Sequence, residues 1–294
     1  MRKFLLQISF ILLSTTIQAA WLTSFEEAQK IALLSNKLIV VDFTAKWCGP
    51  CKEMDLKSWS DWQVEEVLQN YVKLRIDIDL NRDIALKYQV KLIPEMIIID
   101  ANGKIAHRFS GHQAAAKLRN ELLKYSLSTE YLSLELVNFH KNKNFNSATR
   151  LSQKYLNYSL LVEKEIKEQM IFLSNQYLEE AREDLKKNDP NYVEKKQKLK
   201  LLSLYEVAYK FNFEKLEKKI IPLNQEKINE SNQYQYWFLK FLALKGNNKS
   251  TIESEEFLRK HDLENVIENS NQLYGFYEKQ LAIINQTKSK LNEN

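Results

Sequence analysis

Glycine and proline are scarce in this sequence of 294 residues, which contains only five Gly and four Pro. Turn-dense β-sandwiches and barrels need far more of both, so the composition excludes an all-β protein and favours long helices joined by short loops. Basic and acidic residues nearly balance, with 43 Lys and Arg against 38 Asp and Glu. They are interspersed along the chain, so the charge pattern indicates no nucleic-acid partner. The length predicts two domains.

Cysteine is scarcer still, because Cys48 and Cys51 are the only two in the sequence. A bridge between them closes a very short loop and removes little entropy from the unfolded chain, so stabilisation is a poor reason for it. Zinc sites and iron–sulfur clusters normally need four ligands, and the four His residues lie far away in the sequence without ligand spacing. We therefore expect no metal and no other cofactor. Redox exchange by the two thiols is the chemistry that remains.

Residues 1–20 have the three-part pattern of a secretory signal peptide. Arg2 and Lys3 precede a mostly apolar run, and small residues end the segment at Ala19-Ala20. The apolar run is shorter than the roughly 20 residues that a membrane-spanning helix needs. We therefore expect cleavage after Ala19 or Ala20, and an exported protein that is soluble after cleavage.

Residues 21–127 alternate between strand and helix patterns, which predicts a small α/β domain. Residues 38–43 form an almost continuous apolar run, typical of a buried central strand. Trp47-Cys48-Gly49-Pro50-Cys51 follows at once, and a proline suits the first turn of a helix. Cys48 is therefore expected at a helix N-terminus, where free N–H groups stabilise a thiolate. Asn102-Gly103 predicts a hairpin between the last two strands.

The stretch from Val41 to Lys52 resembles the active-site segment of the thioredoxin family. It reads Val-Asp-Phe-Thr-Ala-Lys-Trp-Cys-Gly-Pro-Cys-Lys. Its Phe-Thr-Ala part is most similar to the periplasmic C-terminal thioredoxin domain of the DsbD family of membrane disulfide reductases. The resemblance covers roughly residues 25–125. It implies a central mixed sheet flanked by helices and the activity of a thiol:disulfide oxidoreductase.

The resemblance implies a role for each residue around the cysteines. Cys48 is expected to be the exposed attacking thiol and Cys51 the buried resolving thiol. Asp42 is expected to be a buried carboxylate that helps to take the proton of Cys51, and Lys73 falls where the family keeps the lysine that pairs with this carboxylate. Substrate binding is expected at a set of residues around the thiols, with a cis peptide bond before the second proline: Trp47, Gly49, Pro50, Ile93, Pro94 and Gly111.

Several features depart from the family pattern. Thr44 stands where thioredoxin itself has Trp, and Glu95 follows Pro94 where it has Thr. The second helix lacks its kinking proline, and the usual leading strand is missing or very short. These departures change the surface around the cysteines and leave the redox pair untouched.

Residues 128–294 change to long helical stretches rich in Lys, Glu, Asn, Leu and Tyr. Apolar residues recur at three- and four-residue steps, which predicts an all-α domain of antiparallel helix pairs. Turn-like segments at 143–148, 211–216 and 246–251 are spaced at about twice and once a tetratricopeptide period. Two alternatives stay open: a helical-repeat array that binds a protein or peptide partner, and a plain helical bundle.

Taken together, these patterns predict an exported, periplasmic thiol:disulfide oxidoreductase. In the family, Gly-Pro between the cysteines goes with reducing members, which favours reduction of disulfides in envelope proteins. Such a reductase needs electrons after each turnover, so a membrane-embedded donor of the DsbD type is an expected partner. The alternatives are a disulfide oxidase or isomerase, and an interaction scaffold in which the thioredoxin-like part is only a fold unit.

Overall fold

A computed structural model of the chain describes residues 20–261, so residues 1–19 of the predicted signal peptide and residues 262–294 of the predicted helical domain lie outside the described part. In residues 20–261, no helix combines the length and the apolar character needed to cross a bilayer.

The elements of the α/β part are α1 (Phe25–Ser35), β1 (Leu38–Thr44), α2 (Gly49–Met54), α3 (Trp62–Leu68), β2 (Tyr71–Asp77), α4 (Arg82–Lys87), β3 (Glu95–Ile99), β4 (Ile105–Ser110) and α5 (Ala115–Lys124). The helices that follow are α6 (Ser133–Lys141), α7 (Phe145–Tyr158), α8 (Lys164–Asp184), α9 (Tyr192–Tyr209), α10 (Phe213–Ile220), α11 (Gln233–Gly246) and α12 (Ile252–His261).

The strands described here form one mixed sheet in the order β2-β1-β3-β4. Strand β1 pairs in parallel with β2 and antiparallel with β3, and β4 continues antiparallel to β3. Leu22 adds a single parallel bridge to Leu74 at the outer side of β2, so the leading strand is very short, as expected. The predicted mixed sheet flanked by helices is confirmed.

Side chains from the two faces of the sheet enter two hydrophobic clusters. Ile39, Val41 and Phe43 pack with α1 and Tyr88 on one face. Val40 lies on the opposite face, where the cluster extends through α2, α3 and α5 and continues without a break into the helical region. The α/β part and the helical region therefore share one core.

The helices of the second part pair in antiparallel fashion. At the start of α7, the Phe145 N–H donates to Asp184 at the end of α8, and Ser152 bonds to Ser174 midway along both helices. Lys210 at the end of α9 binds Glu168 near the start of α8, and Gly246 at the end of α11 lies against Phe213 at the start of α10. The predicted helix pairs are confirmed, whereas a tetratricopeptide-like repeat is not.

The helical region docks on the turn between β3 and β4 through a fully buried carboxylate. Asp100 accepts hydrogen bonds from the backbone N–H groups of Asn102 and Lys104, and from the hydroxyls of Tyr155 on α7 and Tyr177 on α8. Gln176 adds two bonds to the backbone of Ile105 at the start of β4. Because β3 begins beside the end of β1 and ends beside its start, this turn lies at the end of the sheet opposite the cysteines.

Replacing either tyrosine of this interface by phenylalanine is expected to destabilise the protein by about 1–3 kcal/mol, because a buried carboxylate oxygen loses a donor. Tyr155→Phe and Tyr177→Phe are measured singly and together by chemical denaturation. The partly exposed Tyr192 of α9 provides the matched control, Tyr192→Phe. Two single variants as stable as this control contradict the role of Asp100 in docking.

Candidate active site

The disulfide between Cys48 and Cys51 lies at the start of α2, shortly after the end of β1. Cys48 is the N-cap of this helix, with extended backbone, and Pro50 occupies its first turn. The N–H of Cys51 points to the sulfur of Cys48 at 3.2 Å. In the reduced state this donor stabilises a thiolate on Cys48, since N–H groups at a helix start are left without a backbone acceptor. The predicted position of Cys48 at a helix N-terminus is confirmed.

The expectation that Cys48 is exposed is wrong for this disulfide form. Cys48 is 3% exposed and Cys51 is 4% exposed. The two sulfurs pack with Ala45, and Ile78 and Ile93 cover this small cluster. Both cysteines are buried alike because they belong to this one apolar cluster.

Asp42, on the same strand that leads to Cys48, is buried as predicted. Its Oδ2 accepts a hydrogen bond from Nε of Arg75 at 3.0 Å, while Oδ1 is buried and makes no hydrogen bond within the described residues. Arg75 also binds Asp55 at 2.6 Å, one helical turn beyond Cys51. Burial raises the pKa of Asp42 from 3.8 to about 6, and the nearby Arg75 charge opposes that rise.

One aromatic ring lies against the Arg75 guanidinium. It lies over the ring of Trp21 at 4.7 Å from the centroid, and Trp21 meets Trp59 edge to face at 4.9 Å. Trp59 ends the π-helical turn, residues Asp55–Trp59, that continues α2. The guanidinium therefore joins β2 to both the buried carboxylate and the helical segment that carries the cysteines.

Lys73 was expected to pair with Asp42, and this expectation is wrong. The parallel register of β1 and β2 sets Arg75 opposite Asp42 and Lys73 opposite Val40, two pairs further from the cysteines. The ion pair with Asp42 belongs to Arg75. Lys73 is itself buried on β2. Two basic residues two positions apart share one face of a strand, so only the strand register distinguishes them.

The structure brings the predicted substrate-binding residues together around the disulfide. The Ile93–Pro94 peptide bond is cis, as expected, and Ile93 packs against the cysteine cluster. Gly111, in the left-handed region at φ 80°, donates its N–H to the carbonyl of Pro94 at 2.8 Å. A side chain at that position would be strained.

The surface on the other side of the disulfide is open. Trp47 is 67% exposed, and its indole N–H donates to Asp79 at 2.9 Å. Gly49 and Pro50 are also exposed, and outside the chain neighbours and helix backbone of Gly49, no atom lies within 4 Å of the point where its Cβ would stand. Within residues 20–261, no group of three or more His, Cys, Asp or Glu side chains is arranged to hold a metal.

The sequence did not point to three residues of this region: Arg75, Asp55 and Arg108. Arg75 and Asp55 complete the network of Asp42. Arg108 on β4 forms an ion pair with the buried Glu95, directly after Pro94. An alternating pattern on β2 and β4 was the available signal, but the pairing partners follow only from the register of the strands.

Comparisons with known proteins agree with this geometry. The family model described as Thioredoxin matches residues 20–124. Thioredoxin of Pongo abelii is 37% identical over 89 residues, 30% of this chain and 79% of that protein. Thioredoxin-T of Drosophila melanogaster is 36% identical over 83 residues, and the match spans 28% of this chain and about half, 51%, of that protein. The thiol:disulfide interchange protein DsbD of Campylobacter jejuni (strain RM1221) is 27% identical over 127 residues, 41% of this chain and 22% of that protein.

The raised pKa of Asp42 predicts how stability depends on pH. A carboxyl group whose pKa is higher in the folded chain than in the unfolded chain stabilises the fold when protonated, so this contribution is lost as pH rises from about 4 through about 6. At about 1.36 kcal/mol per pKa unit, the loss approaches 3 kcal/mol.

The Asp42→Asn variant lacks this titration. The oxidised native protein is therefore expected to lose stability relative to Asp42→Asn as pH increases from 4 to 8, measured by denaturation at each pH. The same comparison with Asp61→Asn, at the partly exposed N-cap of α3, controls for the loss of a carboxylate elsewhere. A difference between native and Asp42→Asn that stays constant over this range contradicts the assignment.

Proposed function

This chain belongs to the thioredoxin family, and on this premise we propose that it is an exported thiol:disulfide oxidoreductase that reduces disulfides of envelope proteins. One observation carries the proposal: the Cys48–Cys51 disulfide lies at a helix start, with a backbone N–H directed at Cys48 and a cis-proline loop packed against it. The helical region docks at the opposite end of the sheet, so a protein substrate reaches the disulfide without displacing it.

The reaction begins with the reduced pair. The Cys48 thiolate attacks one sulfur of a substrate disulfide, forming a mixed disulfide and releasing the other substrate sulfur as a thiolate. Cys51 then loses its proton, which we assign to the carboxylate of Asp42, and attacks the sulfur of Cys48. This second step closes the Cys48–Cys51 disulfide and releases the second substrate thiol. Two electrons pass from the pair to the substrate.

Each turnover leaves the enzyme oxidised, so it needs a dithiol donor outside the cytoplasm. We propose a membrane-embedded donor of the DsbD type, supported by the similarity of the chain to DsbD. The Gly49-Pro50 pair between the cysteines supports the reducing direction by its resemblance to reducing members of the family. The pattern of residues 1–20 supports export to a bacterial periplasm.

Loss of the attacking sulfur tests the activity. Cys48→Ser is expected to abolish insulin reduction with dithiothreitol as the electron donor, because no mixed disulfide can form. Cys51→Ala is expected to accumulate mixed disulfides with envelope proteins, visible on non-reducing gels, because the resolving thiol is gone. Insulin reduction that persists in Cys48→Ser refutes the proposal.

Two further measurements separate the alternatives. A reduction potential of the pair well above that of glutathione favours an oxidase or isomerase over a reductase. A binding partner captured equally by the native protein and by a variant lacking both cysteines favours the interaction scaffold.

The ion pair assigned to Asp42 predicts a difference between two basic residues on β2. Arg75→Gln removes the charge that opposes the rise in the pKa of Asp42, so the acid limb of the pH–rate profile is expected to move to higher pH. Lys73→Gln is the matched control on the same strand face and is expected to leave that limb nearly in place. The reverse ranking of the two variants, in insulin reduction from pH 5 to 9, contradicts the pairing in the structure.

A further inference from the structure

A single guanidinium bridges the two ends of the loop that carries the cis-proline. The loop, residues 89–94, runs from the end of α4 to the start of β3. Arg108 on the edge strand β4 donates through one nitrogen to the backbone carbonyl of Tyr88, just before the loop, and through the other to the carboxylate of Glu95, just after it. We call this three-residue contact the loop clamp.

The glutamate of the loop clamp is buried. Glu95 is 4% exposed, and Ser110 donates weakly to the same oxygen that Arg108 binds. The other oxygen, Oε2, is buried and makes no hydrogen bond within the described residues. A buried carboxylate of this kind is costly, and apolar residues of similar size are often as stable. Stability alone is therefore a weak reason for a glutamate at this position.

Between its two ends the loop contains residues that lie beside the disulfide. Ile93 packs against the cluster of Ala45, Cys48 and Cys51, and Pro94 follows in cis. Leu92, next to Ile93, is 74% exposed. Gln89 turns the chain in the left-handed region at φ 53°. The Glu95 end of the loop is held to β4 by the pairing of Glu95 with Ser110 and by the bond of Gly111 to Pro94, and the loop clamp adds a link from β4 to the Tyr88 end.

We propose that Arg108 and Glu95 are positioning residues for the protein substrate. By linking the Tyr88 end of the loop to its Glu95 end, the loop clamp holds Leu92, Ile93 and Pro94 in the place where a polypeptide next to the substrate disulfide docks. The clamp acts on how a protein substrate binds, and it does not touch the sulfurs. This inference rests on the proposed reductase function and adds a determinant of substrate binding to it.

Arg108→Lys tests the loop clamp. A lysine keeps the charge that balances Glu95, but its ammonium lacks the planar fork that reaches two acceptors at once. For insulin reduction with dithiothreitol, the KM is expected to rise about tenfold, as for the loss of one charge-assisted hydrogen bond, with little change in kcat. The rate constant with a small disulfide, bis(hydroxyethyl) disulfide, is expected to stay as in the native protein, because this substrate has no polypeptide to dock.

Arg119→Lys on α5 is the matched control, since Arg119 is also partly buried and its guanidinium donates to Gln63. Its KM for insulin is expected to equal that of the native protein. Glu95→Gln gives a second approach: it keeps an oxygen for Arg108 but removes the charge, so its KM is expected to lie between those of the native protein and Arg108→Lys. The reduction potential of all three variants is expected to be unchanged.

Two outcomes overturn the loop clamp. One is an unchanged KM for insulin in Arg108→Lys, and the other is an equal loss of rate with insulin and with the small disulfide, which indicates general damage to the fold. Should Arg108→Lys not fold, the same criteria apply to Glu95→Gln. If the native protein reduces neither substrate, the proposed function fails; if it reduces both and the variants match it, the function stands and the clamp fails.

Discussion

At the end of the sheet next to the cysteines, the structure depends on an opposite charge beside one buried carboxylate. Asp42 lies inside the sheet on the strand that leads to the cysteines, and burial alone favours its neutral form. Arg75 supplies the opposite charge from the neighbouring strand and binds Asp55 on the helical segment beyond Cys51. One guanidinium thus joins strand, carboxylate and helix, so the proton affinity of Asp42 and the placement of the helix are coupled.

The opposite end of the sheet uses a buried carboxylate in another way. Asp100 has four hydrogen-bond donors, two from its own turn and two tyrosine hydroxyls from α7 and α8. With its oxygens satisfied, it serves as a fixed joint between the α/β part and the helical region. Because that joint lies away from the cysteines, the helices are attached without covering the disulfide.

Sequence patterns predicted what is local. The apolar run of β1, the helix start at Cys48 and the hairpin at Asn102-Gly103 depend on residues close in the chain, and each is present in the structure. Register-dependent contacts were not predictable: Arg75 rather than Lys73 stands opposite Asp42. Arg108 stands opposite Ile97 and reaches Glu95 diagonally across β3 and β4. The burial of Cys48 depends on residues distant in the sequence, because Ile78 and Ile93 cover the cysteine cluster.

The buried carboxylates at the two ends of the sheet differ in whether all their oxygens make hydrogen bonds. Within the described residues, Asp42 and Glu95 each keep one buried oxygen without a hydrogen bond, whereas both oxygens of Asp100 are used. An unsatisfied buried oxygen costs stability, so that cost falls on the end that carries the disulfide and the cis-proline loop. The packed helices and the Asp100 joint stabilise the other end. Because the two parts share a hydrophobic cluster, burial in the helical region stabilises the same folded unit that bears this cost.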